Sequence, residues 1–390
     1  MDIYDSILDY ICGNKDVLRN VITTFLNAVM LEEAKQQSCS DPYERTTERT
    51  SYRNGFRKRT LKTPNGTLIL DKPQLRDTPF KTCVFSNYSR VDVSLKNAVI
   101  ESYLKGISTR SVQEVVKTLG VDELSHASVS RIASELDDAV EQFLKRPIET
   151  EIPYLYIDAT YCKVREESRY VSKALYIAVG VNSDGYREIL GAKLADCENE
   201  AYWSLFFDEL KERGLSGVKL VISDGHKGIR KAVPEAFIGS AWQMCIVHFK
   251  RNVLKSIPQK KKGEIADELK AAMNTSDSLL MFAESLRERG FISAANTIEN
   301  FMPDVLNYRT FPPEHRKRIC STNVVERVNL EIKRRSKKVG AFPSPQSFLR
   351  VAGSILMMTA PSCRGEFLKK RFISRRLLTL ASMRSPVSLM

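Results

Sequence analysis

Asp158 lies in Tyr154-Leu155-Tyr156-Ile157-Asp158-Ala159-Thr160-Tyr161, a stretch otherwise built for burial. A carboxylate there is costly unless a cation or a strong donor meets it. A metal ion and a buried arginine answer that need equally well on this segment alone. Asp224 closes a second apolar run, Leu220-Val221-Ile222-Ser223-Asp224-Gly225-His226, where open sheets present functional groups beyond the carboxyl ends of their strands. Asp-Gly is also an ordinary turn signal. Glu326 begins a helical segment, Ser321 to Asn329, whose Val325, Val328 and Ile332 would pack inward. By spacing alone Glu326 reads as the reciprocal partner of an Asn323 N-cap, three residues earlier. Two carboxylates side by side repel, but with a third acid they make an oxygen shell for one or two Mg²⁺ ions, with Mn²⁺ able to substitute.

Cys245 and His248 form Cys-x-x-His, half of a zinc site by spacing, and no second pair accompanies them. His248 reads instead as a polar group beside the acids that contacts a phosphate or orients a ligand, with a structural histidine as the alternative. No serine, cysteine or lysine nucleophile motif occurs, and Gly-rich phosphate loops and Gly-x-Gly-x-x-Gly are absent, so no nucleotide cofactor is implied.

The acids need a scaffold, and the sequence outlines one. After Pro147 and Pro153, residues 155–164, 174–181, 189–194, 218–223 and 241–247 are short apolar runs rich in Val, Ile and Tyr, which read as strands. Cys245 and His248 fall at the end of the fifth. Asn182-Ser183-Asp184-Gly185 is a hairpin turn between the second and third. Residues 198–213 carry Tyr202, Leu205, Phe206 and Leu210 at helical spacing and stop at Gly214. The order strand, strand, strand, helix, strand, helix, strand is that of a ribonuclease-H-like domain: α/β, with a mixed five-stranded sheet whose first and fourth strands are parallel neighbours. That arrangement would bring Asp158 and Asp224 to one edge. Amphipathic helices then take over as an all-helical insertion.

Upstream, residues 3–37 suggest two helices joined near Gly13, suited to oligomerisation, DNA-end binding or plain packing. A basic hairpin follows, with strands at 56–61 and 67–70 about a Pro64-Asn65-Gly66 turn. Residues 94–143 form three helical pieces punctuated by Gly106 and Gly120, with Ser108 and Ser125 as N-caps. This suits a helix-turn-helix whose third helix, bearing His126, Ser128, Ser130 and Arg131, enters a major groove; a three-helix bundle without DNA contacts is the alternative. The expected divisions are 1–48, a helical arm; 49–90, a small basic β segment; 91–147, the helix-turn-helix; 148–253 and 318–362, the catalytic core; 254–317, the helical insertion; and 363–390, a basic tail.

Composition points the same way. Across 390 residues, 43% are hydrophobic, enough for globular domains. Lys and Arg number 60 against 47 Asp and Glu, and the net charge of +13 favours polyanions. The excess is clustered at Arg49, Arg53, Arg57, Lys58, Arg59 and Lys62, and again from Lys333 through Arg334, Arg335, Lys337 and Lys338 into the tail. The eight cysteines are scattered singly, which suits reduced thiols. No run approaches the roughly 20 apolar residues of a membrane helix. The acidic N-terminus lacks an export signal's design, so a cytoplasmic protein is expected.

Several motifs in order resemble the bacterial Mutator-type insertion-sequence transposases of the Asp-Asp-Glu recombinase superfamily. They are Tyr52-Arg53-Asn54-Gly55-Phe56-Arg57, Val129-Ser130-Arg131-Ile132, Ile157-Asp158-Ala159 and Val221 to His226. Cys245-x-x-His248-Phe249-x-Arg251-Asn252 and Thr322-Asn323-x-x-Glu326-Arg327-x-Asn329, followed by Arg334-Arg335, complete the set. The resemblance implies Asp158, Asp224 and Glu326 as a catalytic triad with His248 nearby. It further implies Mg²⁺-dependent cleavage at the ends of an element, attack of the 3′-hydroxyl on target DNA, and a homodimer on DNA that is nucleoid-associated when bound. DNA contacts are then expected from Arg53, Arg57, Arg59, Ser128, Arg131, Arg251, Arg327, Arg334 and Arg335. A binding-only regulator with a degenerate core is one alternative. A ribonuclease-H-like nuclease or resolvase without joining activity is the other.

Overall fold

The computed structural model describes residues 15–85, 91–118 and 124–360. The first of the two helices expected in the N-terminal arm and the basic tail from 363 lie outside the described residues. The chain divides into two compact units, 1–135 and 136–390. The division comes before the boundary expected after residue 147, so the helix from Leu136 belongs to the second unit.

In the first unit, α1 (Lys15–Ser38) lays Met30 and Ala34 against an antiparallel hairpin of β1 (Arg53–Thr63) and β2 (Gly66–Leu75), where Leu61, Leu68 and Leu70 are buried. Gly66 holds the turn at φ +109°, and a Cβ there would lie 2.7 Å from the Arg19 guanidinium. The strands run longer than the apolar pattern suggests because the outer half of β1 is charged and mostly exposed, and backbone pairing with β2 extends it to Arg53. Next come α2 (Val93–Leu104), α3 (Thr109–Thr118) and α4 (His126–Ser134), which share a core of Leu95, Val99, Val112, Val116, Val129 and Ile132. Asp92 and Ser125 cap the first and third of them.

The second unit opens with α5 (Leu136–Lys145) and then builds the sheet: β3 (Tyr154–Glu166), β4 (Arg169–Val181), β5 (Arg187–Ala195), α6 (Glu200–Glu212), β6 (Leu220–Ser223), α7 (Lys227–Ala236) and β7 (Ala241–Met244). Its spatial order is β5-β4-β3-β6-β7, with β3 antiparallel to β4 and parallel to β6. The Asn182 to Gly185 turn joins β4 to β5, with Gly185 at φ +80°. Then follow α8 (Ile246–Lys255), α9 (Lys262–Ala272), α10 (Ser276–Glu288), α11 (Ile292–Val305), α12 (Pro313–Ile319), α13 (Asn323–Val339) and α14 (Pro345–Thr359). Among the described residues no helix is long and apolar enough to cross a membrane.

Side chains alternate across a strand, and that parity decides where the site forms. On β3, Leu155 and Ile157 join Trp203, Phe206 and Phe207 of α6 in the main core. Tyr154, Tyr156 and Asp158 face the opposite way, where Tyr154 bonds His315 of α12 at 2.7 Å and Tyr156 donates to the Arg318 carbonyl at 3.2 Å. α13, with Val325, Val328 and Ile332 buried, packs against β3 and β4 on that side. Asp158 therefore points at a helix that begins far downstream in the chain.

Two local expectations need correction. The fifth strand ends at Met244 rather than Val247, because the chain turns directly into α8; Cys245 is the N-cap position and His248 lies in the first turn. Val and Ile fit either element in so short a run, and tertiary packing chose the helix. The N-cap of α13 is Thr322, not Asn323, and no side chain caps it, which leaves Glu326 unengaged by a capping box.

Candidate active site

Asp158, Asp224, His248 and Glu326 line one cavity of about 460 Å³. Asp158 comes from the middle of β3 and Asp224 from the turn after β6, adjacent through the Tyr156–Ile222 parallel register. Asp224 Oδ1 accepts the His226 backbone N–H at 3.2 Å. Asp158 accepts its neighbour Ala159 N–H at 2.9 Å and the Asn329 side-chain amide at 2.6 Å. Burial, and then the Asp224 charge, push its carboxyl up to about 6 despite those two bonds. Among the described residues no arginine pairs with Asp158, so the salt-bridge alternative does not hold: the side-chain donor is Asn329, whose own oxygen is buried with no hydrogen-bond partner.

Glu326 reaches the cavity from the first turn of α13, with Oε1 2.8 Å from His248 Nε2 and 3.2 Å from the Thr322 hydroxyl. Thr322 is in turn tied to the buried Cys245 sulfur through its N–H at 3.4 Å and its hydroxyl at 3.3 Å. One hydroxyl hydrogen serves only one acceptor at a time, so the thiol and the carboxylate compete for it. Among the described residues, Cys245, His248 and Glu326 form the group whose ligand atoms lie within 4.8 Å of one another. Glu326 thus faces the two aspartates across a shared cavity while His248 holds its near oxygen. Arg251, Arg327 and Lys333 stand exposed on the rim, a cationic fringe around an acidic floor.

The model for the family described as Transposase, Mutator family matches residues 5–362. The chain belongs to the Mutator family of transposases. It is 36% identical over 360 residues to the transposase for insertion sequence element IS256 in transposon Tn4001 of Staphylococcus aureus, covering 90% of this chain and 92% of that protein. Against the transposase for insertion sequence element ISRM5 of Rhizobium meliloti it is 36% identical over 359 residues, covering 91% and 90% of the two chains. A solved structure, the Drosophila P element transposase strand transfer complex, aligns at a TM-score of 0.29 and 13% identity over 75% of this chain and 86% of that one, too low to bear on the fold.

The remaining residues singled out in this transposase fall into three places. Arg53, Arg57, Arg59, Ser128 and Arg131 lie in the first unit. Arg53 donates to the Ser40 carbonyl at 3.1 Å, Arg59 stacks 4.0 Å over the Phe85 ring, and Ser128 takes part in the Ser125 cap, so these three have local structural work. Arg57 and Arg131 are exposed. Arg251 and Arg327 line the cavity, while Arg334 and Arg335 sit farther along α13, each 3.6 Å from Glu331. Local pattern reading missed Glu198. Its carboxyl, just ahead of α6, is pushed up to about 7 by burial and then by the Asp224 charge. Its signal was a lone acid before an Asn N-cap, which looks like any helix start.

Proposed function

We propose that this transposase binds the terminal inverted repeats of an insertion sequence and cuts and joins DNA at a divalent-metal centre built from Asp158, Asp224 and Glu326. The observation that carries the reading is the single cavity lined by all three acids, in which the half-buried Asp158 stands beside Asp224 with its carboxyl raised. The residues fit a hard cation. Carboxylate oxygens are the ligand type Mg²⁺ takes, with Mn²⁺ able to substitute, and the orphaned Asn329 oxygen adds a further neutral donor beside them. The sheet order, with acids on the first and fourth strands, supports a ribonuclease-H-like assignment for the second unit.

Bound there, the metal would supply Lewis-acid charge that activates water or a 3′-hydroxyl and stabilises the departing oxygen at phosphorus. Asp158 and Asp224 would provide fixed ligands, the first oriented by Asn329 and the second by the His226 N–H. His248 would hold Glu326 in the ligating orientation through its 2.8 Å bond. Arg251, Arg327 and Lys333 would meet the phosphates that flank the reacting one.

Recognition of the ends falls in this reading to the first unit. There 91–135, the part of the expected 91–147 module that falls in the first unit, acts as the helix-turn-helix with Ser128 and Arg131 on its third helix, the 49–90 hairpin offers Arg53, Arg57 and Arg59, and 1–48 acts as the arm. Arg334, Arg335 and the basic tail add phosphate contacts. Residues 254–317 form an insertion that splits the catalytic core between 148–253 and 318–362. Joining two ends to one target calls for two active sites, hence a dimer on DNA in the bacterial cytoplasm.

The test incubates purified protein with labelled end DNA and Mg²⁺, comparing wild type with Asp158→Asn, Asp224→Asn and Glu326→Gln. Each substitution is expected to abolish cleavage and joining while end binding survives. Full activity in any one variant removes that residue from the triad, and nicked products without joined ones in the wild type would make the protein a nuclease or resolvase.

A further inference from the structure

We infer that Glu198 is a positioning residue that holds Asp224 in its ligating place by clasping His226; this rests on reading Asp158 and Asp224 as the metal-holding pair.

The Glu198 side chain is only 9% exposed, yet it sits in the short link between β5 and α6, where an acid would ordinarily point into water. Its Oε1 accepts the Trp203 indole N–H at 3.3 Å and lies 3.4 Å from His226 Nδ1. His226 is the N-cap of α7, where the same Nδ1 accepts the Gly228 N–H at 3.3 Å; with its lone pair so engaged it packs against Glu198 Oε1 rather than donating to it. The same residue's backbone N–H is the donor to Asp224 Oδ1. A continuous chain of contacts therefore runs from the buried Trp203, through Glu198 and His226, to one of the two aspartates.

Gly228 shows how tightly this corner is drawn. A Cβ there would lie 2.8 Å from the Asn199 carbonyl carbon and 2.8 Å from the Glu200 nitrogen, both backbone atoms that cannot give way. The turn that carries Asp224 is thus pressed onto the start of α6 at two points, backbone against backbone at Gly228 and side chain against side chain at Glu198 and His226. The N-termini of α6 and α7 meet at this corner, and their partial positive ends favour the acids gathered there. A carboxylate is still a costly choice for a mere spacer, because Asp224 and Asp158 both act to raise its proton affinity. Partners that orient ligands from behind are worth about 10- to 100-fold in metal affinity or activity.

The experiment titrates the full-length protein with Mn²⁺, following free Mn²⁺ by electron paramagnetic resonance, so the readout does not depend on turnover. Glu198→Ala is expected to weaken Mn²⁺ binding about tenfold, with the metal concentration for half-maximal end cleavage rising by a similar factor. Glu198→Gln is expected to stay within about threefold of wild type, since an amide of the same shape keeps the Trp203 bond through its oxygen and the packing against His226. Asn199→Ala removes the α6 cap beside the clasp and should lower Tm without moving the Mn²⁺ titration. Should Glu198→Ala fold poorly, His226→Asn keeps a capping side chain, removes the clasp and is expected to weaken Mn²⁺ in the same way. Wild-type affinity in Glu198→Ala or His226→Asn overturns the inference. So does Glu198→Gln binding as weakly as the alanine variant, because the charge and not the clasp would then be what matters. Asp158→Asn and Asp224→Asn report separately: if both bind Mn²⁺ like wild type, it is the metal-site reading that fails.

Discussion

Asn329 donates its side-chain amide to Asp158 Oδ2 at 2.6 Å, joining α13 to the central strand across 171 positions of sequence. The bond fixes which way the Asp158 carboxylate faces, and the other end of the same amide is a buried oxygen without a partner. Asn329→Ala is expected to lower end cleavage by about 10- to 100-fold while leaving DNA binding unchanged. A single-turnover cleavage assay with a parallel gel-shift measurement checks it, and an unchanged rate would show that Asp158 needs no such guide.

The raised Asp158 carboxyl makes a statement about stability. Between 3.8, the ordinary value, and about 6, the folded metal-free protein keeps a proton at Asp158 that the unfolded chain has released. Stability must then fall as pH rises through that window, and the penalty stays in place above it, on the order of 3 kcal/mol. Asp158→Asn should therefore raise the Tm of the metal-free protein at pH 7 and bring no gain below pH 4, roughly the start of that window. Thermal unfolding in EDTA and in Mg²⁺ checks both halves: Mg²⁺ should stabilise wild type and not the variant.

Cys245 is buried and accepts from Thr322, which itself is almost fully buried. Cys245→Ala would leave the Thr322 N–H without that acceptor at a cost of about 1–3 kcal/mol, and would loosen the turn that delivers Glu326. Urea unfolding should register the loss, with a smaller loss for Cys245→Ser, whose hydroxyl still accepts. Metal analysis of the purified protein should find no stoichiometric zinc.

Gly353 of α14 lies so close to α5 that a Cβ would sit 2.2 Å from Val140 Cγ1. Gly353→Ala is expected to destabilise by about 1–3 kcal/mol through overpacking. Combining it with Val140→Ala should restore part of that loss, since the clash is with the methyl removed. A double-mutant cycle by thermal unfolding gives the coupling.

Arg57 projects from the hairpin and Arg131 from the third helix of the bundle, both exposed. If the first unit holds the ends, Arg57→Ala should weaken all DNA evenly and reduce the salt dependence of binding by about one counterion. Arg131→Ala should instead narrow the gap between end DNA and random DNA. Titrations at several salt concentrations separate the two behaviours.

Much of the second unit was legible because buried strands write themselves as apolar runs. Five such runs, one hairpin turn and one capped helix led to the sheet that is observed, including β3 beside β6, since short right-handed crossovers leave little choice of order. Less was legible where signals were short or polar. The charged ends of β3 and β4 carry no apolar run to announce them, being held by backbone pairing and the Lys173–Glu166 ion pair, and the Cys245 to His248 segment reads as strand until its neighbours make it helix. Glu198 looked like a helix start and Glu326 like part of a cap, because local spacing carries no information about what lies across the fold.

The amino-acid order by itself determined most of the strands and helices and which acids lie within or at the end of apolar runs. That is set by periodicity and the cost of burying charge. Only the tertiary structure decided that Asp158 faces α13 rather than α6, that His248 meets Glu326, and that Glu198 stands behind Asp224. Those outcomes depend on strand parity combined with where a distant helix packs, and contacts across so many residues are fixed by the packing of whole elements rather than by any local pattern.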